Sequence, residues 1–416
     1  MELVTKKIKG GGVTSPKGFK AAAVGCGIKT PEVLRSDLAL IYSELPAASS
    51  ALFTLNKVKA APIRVSQTHL RAKEVRAFLM NSGNANACTG PRGIQDARRL
   101  CRETARLLDL RQRQVLISST GIIGLPLPMD LMMPKLPDLV SQLGSTHEHG
   151  LQVAEAILTS DTRPKSRALS LELSGGTIRI GAVAKGAGMI SPNMATMLCF
   201  VTTDAAIQPG ELQRSLHYAV EQSFNRISVD GDMSTNDTVQ LMANGAAGNK
   251  PIKAGSADAR LFREALEQLL VKTAKALVKD GEKVTKFVEL HVKGASTLTD
   301  AKKVAEAVGN SKLVQSSWNG EDPNWGRIMH AVGYAKARIR EEMIDIYFDG
   351  LAAARSGMMA DTGVTQLRNV VKKNRFSVTI DLGLGNAEYV LFCSDLSPEY
   401  VEYNRSEYAA WRRLKK

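Results

Sequence analysis

The chain has 416 residues, of which 44% are hydrophobic, 23% charged and 5% aromatic, and it carries a net charge of +14. That length exceeds what one core usually supports, so two or three lobes or one large sandwich are expected, and no apolar run is long enough to imply a membrane span. The positive charge gathers in residues 1–195 (26 Lys+Arg against 14 Asp+Glu) rather than 196–416 (29 against 27); it is scattered through helical patterns with few aromatics, which reads as a solvated face and not as a nucleic-acid site.

The first ten residues lack the apolar stretch of a secretory signal and the Arg- and Ser-rich character of a transit peptide, so a cytoplasmic location is expected. RAFLMNSG (76–83) predicts a strand, PRGIQDARRLCRETARLL (91–108) an amphipathic helix with Ile94, Ala97, Cys101, Ala105 and Leu108 on one face, and QVLISSTG (114–121) a second strand. The polar STHEHG (145–150) reads as a solvated loop, and its His147 and His149 have no carboxylate or thiol cluster beside them, so no metal is expected. Further strands are predicted at 176–186 and 197–205. A linker-like stretch then spans 249–257, and a helix over 259–278 carries Leu261, Ala265, Leu269 and Thr273 on its buried face. The last predicted strands are KFVELHVKG (286–294) and RFSVTIDLG (375–383). Strands and helices thus mix along the whole length, which predicts an α/β protein. Five cysteines without a CxxC pair predict reduced thiols.

Three Gly- and Asn-rich segments follow apolar strands: NSGNANACTG (81–90), STGIIG (119–124) and KGAGMISPNMATML (185–198). Such loops present backbone N–H groups to a ligand, although any one of them also serves as a tight turn. No GxSxG elbow is present and no histidine lies in these loops, so a His-activated nucleophile has little support. Thr196 opens a strand-like run after a Pro-Asn-Met-Ala turn. A cut before it would place a hydroxyl and a free α-amine on one residue, and an α-amine with a pKa of about 7.7–8.0 can accept the hydroxyl proton without histidine. On composition alone, a threonine there is far more often a packing residue.

KGAGMISPNMATMLCFVTTDA resembles the self-cleavage segment of the ornithine acetyltransferase family, the bifunctional glutamate N-acetyltransferases and amino-acid acetyltransferases. Further matches are GGVTSPKGFKAAAVGCGIK, NSGNANACTG, SSTGIIG, TSDTRPK, SVDGDMSTNDTVQLMANG, KDGEKVTKF and DPNWGRI, so the resemblance spans nearly the full length. It implies a layered sandwich of mixed sheets and helices of the self-cleaving N-terminal-nucleophile type, similar to the ornithine acetyltransferase and aminopeptidase fold. It also implies autoproteolysis between Ala195 and Thr196. The products would be an N-terminal fragment, 1–195, with the oxyanion loop, and a C-terminal fragment, 196–416, that begins with the nucleophile.

The same resemblance makes Thr196 the acetyl acceptor and Thr120 with Gly121 the oxyanion pair, and it places Thr162, Lys185, Thr196, Glu282 and Asn404 at the substrates. Lys185 has the compact cation that suits a carboxylate, and Glu282 suits an ammonium, while a turn lysine, a solvated charge run and a turn threonine are the plain readings of Lys185, Glu282 and Thr162. The implied reaction carries acetyl from N-acetylornithine to glutamate for arginine biosynthesis. It needs no cofactor, leaves acetyl-CoA open as a second donor, and belongs to a heterotetramer of two N-terminal and two C-terminal fragments. One departure stands out: the family places Thr or Ser five positions after the Asn, and here Ala409 stands there, with Ser406 nearby and an extension to Lys416. A self-processing aminopeptidase or amidase of similar architecture is the alternative enzyme.

Overall fold

The computed structural model describes residues 2–29, 35–72, 74–191 and 197–413, the side chains only as far as 405. Ala195 and Thr196 therefore lie outside the described residues, as do the side chains of Ser406 and Ala409. The chain divides into two compact units.

The first unit comprises Met1–Gly186, Asn193–Asn225 and Met233–Leu277. Its strands are β1 (Thr5–Lys7), β2 (Phe19–Val24), β3 (Leu38–Phe53), β4 (Val75–Asn84), β5 (Val115–Ile122), β6 (Lys165–Leu173), β7 (Gly176–Lys185), β8 (Leu198–Thr203) and β9 (Thr238–Ala243). Its helices are α1 (Ala61–His69), α2 (Gly90–Leu107), α3 (Met129–Met132), α4 (Leu136–Ser141), α5 (His147–Ala156), α6 (Pro209–Glu221) and α7 (Ala257–Val278). The strands form one nine-stranded sheet in the order β1-β6-β7-β8-β9-β3-β4-β5, with β2 also on β3.

The 16-residue β3 makes this continuity: Leu38–Tyr42 pairs with β2 and β4, the register shifts before Ala47, and Ala48–Phe53 pairs with β9. The two arms then close on each other. Phe78 of β4 meets Phe200 of β8 at 5.8 Å between ring centroids, inside an apolar layer that includes Ile41, Met80, Leu116, Val183 and Met242. AFLM within β4 and LCFV within β8 are unbroken apolar runs for this reason, since strands buried on both faces need no alternation. The outer face of the β2–β5 arm is covered by α1, α2 and α4, with Ala97, Leu100, Cys101 and Ala105 of α2 buried and its arginines outward. α6 and α7 bury Leu212, Leu216, Leu261, Ala265 and Leu269, and Arg263 of α7 reaches Glu211 of α6 at 3.0 Å. His147 and His149 open α5 rather than sitting in a loop, and Thr146 Oγ1 lies 2.6 Å from His149 Nδ1.

β8 and β9 belong to the sequence after Thr196, yet they stand between β7 and β3, with six paired residues on each side. A cut at Ala195 thus leaves two pieces joined through main-chain hydrogen bonds in the middle of one sheet.

The second unit comprises Ala187–Pro192, Arg226–Asp232 and Val278–Lys416. It contains β10 (Phe287–Ala295), α8 (Leu298–Gly309), α9 (Lys312–Asn319), α10 (Trp325–Gly333), β11 (Asp345–Phe348), β12 (Leu351–Arg355), β13 (Met358–Met359), α11 (Val364–Val371), β14 (Arg375–Asp381), β15 (Ala387–Ser394) and α12 (Pro398–Arg413). The sheet order is β13-β12-β11-β14-β10-β15, with β10 and β14 parallel. Phe376, Val378 and Ile380 alternate inward with Val288, Leu290 and Val292 against α8–α10, and Trp318 meets Phe376 edge-on at 6.1 Å. This one-sided burial is what the alternating pattern of RFSVTIDLG encodes. No helix among the described residues is long and apolar enough to cross a membrane.

Candidate active site

In the first unit the site is built where β4, β5 and β7 end. β4 and β5 run parallel, pairing Ser82 with Thr120 and Gly83 with Gly121. Gly121 has φ +132°, a region open to glycine alone, and a Cβ there would lie 2.3 Å from the Gly83 carbonyl carbon and 2.5 Å from Asn84 N. The STG turn is therefore fixed by backbone contact: only a glycine lets β5 close against β4 at this point. Thr120 is buried, and its Oγ1 accepts from Lys185 Nζ at 3.4 Å. Its hydroxyl hydrogen has no partner among the described residues, so it can be given to a ligand.

Lys185 ends β7 and is buried with its ammonium 2.5 Å from Thr159 Oγ1 and 3.8 Å from Asp161 Oδ2. Asp161 is the anchor. Its Oδ1 accepts from Lys165 Nζ at 2.5 Å and from Gly186 N–H at 2.8 Å, and its carboxylate is fully shielded from solvent. Burial acts to raise the Asp161 carboxyl, but the Lys185 and Lys165 charges and the Gly186 N–H outweigh it and hold it below the usual carboxylate range. Close by in charge terms, Lys29 donates to Ala156 O at 3.2 Å. Burial, opposed by Asp37 and reinforced by Lys185, pushes the Lys29 ammonium down to about 8. Thr162 stands on an exposed bend one residue after Asp161.

Asp161→Asn removes the carboxylate from two buried ammoniums and is expected to cost about 3–5 kcal/mol of stability at neutral pH. Because the folded carboxyl titrates below its unfolded value of about 3.9, the stabilisation is complete above that value and is lost as pH falls through the folded value. Urea unfolding at pH 7 and pH 3 checks this: the gap between wild type and variant should be smaller at pH 3 than at pH 7, by no more than about 1.2 kcal/mol, the loss possible over the roughly 0.9 pH unit below about 3.9.

The second unit gathers Glu282 and Asn404. Glu282 follows α7 in a turn, its N–H donates to Ala187 O at 2.9 Å, and Asn404 Nδ2 on α12 donates to its Oε2 at 3.3 Å. Gly188 lies so close that a Cβ there would be 2.4 Å from Glu282 Oε1. Asp230 holds the same loop by accepting from the N–H groups of Met189 (2.7 Å) and Ile190 (2.9 Å), and Tyr400 of α12 donates its hydroxyl to Asp230 at 3.2 Å. Burial raises the Asp230 carboxyl above its usual range, with these donors acting against it.

Of the residues singled out in the sequence, Thr120, Gly121 and Lys185 thus meet in the first unit and Glu282 and Asn404 in the second. Sequence reasoning assigned no role to Asp161, Lys165, Asn236 or Asp237. The first two lay in the quoted TSDTRPK and the last two in STNDTVQ, so the signal was present as polar residues wedged between apolar runs.

The ArgJ family profile matches residues 20–410. The chain is 48% identical over 390 residues to the "Arginine biosynthesis bifunctional protein ArgJ" of Geobacter sulfurreducens, covering 93% of this chain and 98% of that protein. It is 41% identical over 405 residues to the "Glutamate N-acetyltransferase" of Methanocaldococcus jannaschii, covering 95% and 98%. Among solved structures, ornithine acetyltransferase of Mycobacterium tuberculosis in complex with ornithine is 37% identical, with a TM-score of 0.42 over 45% of this chain and 98% of that one.

Proposed function

The chain belongs to the ArgJ family, and on that footing we propose that it transfers the acetyl group of N-acetylornithine to glutamate by double displacement through Thr196, after self-cleavage between Ala195 and Thr196. The observation that supports this most directly is the buried hydroxyl of Thr120 beside the glycine-only Gly121 turn, with Lys185 at hydrogen-bond distance. Hydroxyl and backbone donors fixed in a buried turn suit a tetrahedral oxyanion, and a buried ammonium suits a substrate carboxylate.

In this reading the Thr196 hydroxyl oxygen bonds to the acetyl carbonyl while its proton passes to the α-amine of the same residue. The negative oxygen is received by Thr120 and Gly121. The acetyl–nitrogen bond then breaks, the proton returns to the departing amine, and ornithine leaves an acetyl ester on Thr196. Glutamate's amine attacks that ester and departs as N-acetylglutamate, restoring the hydroxyl. The family resemblance further gives Thr162, Lys185, Glu282 and Asn404 as substrate-binding residues, of which Lys185 suits a carboxylate and Glu282 an ammonium. Nucleophile, base and oxyanion donors all come from the chain, so the reaction calls for no cofactor. The processed fragments stay paired through β7–β8 and β9–β3, and the proposed assembly is two copies of each.

The experiment is an assay of ornithine release with and without glutamate. The reading expects continuous release with glutamate and a single turnover per site without it. Continuous release without glutamate would instead identify an amidase whose ester is resolved by water. Acetyl-CoA in place of N-acetylornithine, with glutamate present and the release of free CoA as the readout, tests the second donor.

A further inference from the structure

We propose that the adjacent residues Asn236 and Asp237 are positioning residues that hold the turn carrying Thr120 and Gly121 and the strand that follows Thr196 at a fixed spacing. The proposal rests on Thr196 as the nucleophile, and every residue it uses for geometry belongs to the first unit.

The two side chains serve opposite partners. Asn236 Nδ2 donates to Ser119 O at 2.8 Å and to Ala85 O at 2.7 Å, so it grips the residue just before Thr120 together with the loop after β4. Asp237 Oδ1 accepts the N–H of Met197 at 3.1 Å, which is the first peptide after position 196. The carbonyl of Met197 accepts in turn from Thr238 N–H at 3.0 Å. Both polar groups of Met197 are therefore held by the 237–238 segment.

That segment is itself clamped from the other side. Thr54 N–H donates to Asp237 O at 3.0 Å, Thr54 Oγ1 to Ser234 O at 2.8 Å, and Asn56 Nδ2 to Met233 O at 3.0 Å. Ala60 N–H adds a bond to Thr235 O at 3.0 Å. Asn236 and Asp237 are 6% and 1% exposed, so neither is a solvated loop residue. A buried carboxylate so placed is costly unless it is neutral or paired. Burial does raise the Asp237 carboxyl well above its usual range, against the opposing pull of the Met197 N–H, the Thr54 and Ser234 hydroxyls and the Lys185 charge. Its second oxygen has no hydrogen-bond partner among the described residues. A carboxamide at this position keeps the oxygen that accepts the Met197 N–H.

This gives an ordered set of substitutions. Asp237→Ala is expected to slow self-cleavage by about 10- to 100-fold, the scale set by misplacing a reacting group by an ångström, whereas Asp237→Asn keeps the acceptor and cleaves at the wild-type rate. Asn236→Ala, once cleaved, is expected to lose about 10-fold or more in kcat with KM for N-acetylornithine unchanged, because the oxyanion turn moves while the carboxylate cation does not. Ser66→Ala is the structural control. It deletes the buried bonds from Ser66 Oγ to Ile117 O (2.7 Å) and from Ile117 N–H to Ser66 Oγ (2.8 Å) on the same β5, and it should lower thermal stability while leaving cleavage and kcat intact. Circular dichroism selects the folded variants, and denaturing mass spectrometry over time reads the cleavage. Folded Asp237→Ala and Asn236→Ala proteins with wild-type cleavage and kcat would overturn the proposal, as would an Asp237→Asn protein as slow as Asp237→Ala. An uncut wild type with full activity would instead remove Thr196, and the reading on which this stands.

Discussion

Thr196→Ala is expected to yield one uncut chain of 44.9 kDa with no acetyl transfer. In the proposed mechanism the same hydroxyl attacks twice: first the Ala195 carbonyl, shifting that acyl group from nitrogen to oxygen as an ester that water hydrolyses to free the Ala195 carboxylate and restore the hydroxyl, and later the acetyl carbonyl of the substrate. Removing it takes away both reactions at once, while Thr120, Gly121 and Lys185 remain in place. Loss of a nucleophile that acts as part of a catalytic unit typically costs roughly 10⁴- to 10⁶-fold in kcat. Thr196→Ser keeps the hydroxyl and should still be cut. Gel electrophoresis under denaturing conditions and the ornithine-release assay read the two effects, and a variant that is uncut but fully active would break the link between them.

Gly121→Ala is expected to lower kcat by about 10²–10³-fold, the effect of removing an oxyanion donor, with KM little changed. The cause is steric and local. The new Cβ would lie 2.3 Å from the Gly83 carbonyl carbon, 2.5 Å from Asn84 N and 2.6 Å from Gly83 O. All three are backbone atoms of the neighbouring strand, so no side-chain rotation relieves the contact, and β5 must part from β4 at its end. The φ of +132° adds about 1–3 kcal/mol of strain for any residue with a Cβ. Thr120→Val is the useful companion, because it deletes one donor without a backbone clash. It should lower kcat with little change in thermal unfolding, whereas Gly121→Ala should lower both.

Much of the first unit was legible because strands buried on both faces carry continuous apolar runs, here AFLM, VLI and LCFV. RAFLMNSG, QVLISSTG and MLCFVTTDA all fold as the strands they read as, at 75–84, 115–122 and 198–203. The route of the sheet was not legible. β3 serves both arms, and β8 and β9 are inserted between β7 and β3, and pairing of this kind depends on which distant strand offers a matching face. Asn249–Ala257, which reads as a linker, lies within the first unit, where the Asn249 side chain is tied to the Ala206 backbone.

The site divides in the same way. Thr120, Gly121 and Lys185 sit in motifs whose chemistry is local, a glycine turn and a strand-end cation. Asp161 is different: an aspartate in a polar run reads as a turn residue, and only folding brings Gly186, 25 positions away, onto its carboxylate with Lys185 beside it. Asn236 and Asp237 escaped for the related reason that their partners, Ser119 and Met197, are remote in sequence. Composition signals polarity, but not whom a buried polar group will bond.

The most direct test of the account is denaturing mass spectrometry of the purified wild type before and after mixing with N-acetylornithine in the absence of glutamate. The account predicts two chains whose masses match residues 1–195 and 196–416, and the mass of one acetyl group gained by the second alone, on its first residue, and lost again when glutamate is added. An intact chain that is fully active, or an acetyl group carried by any residue other than Thr196, would contradict it.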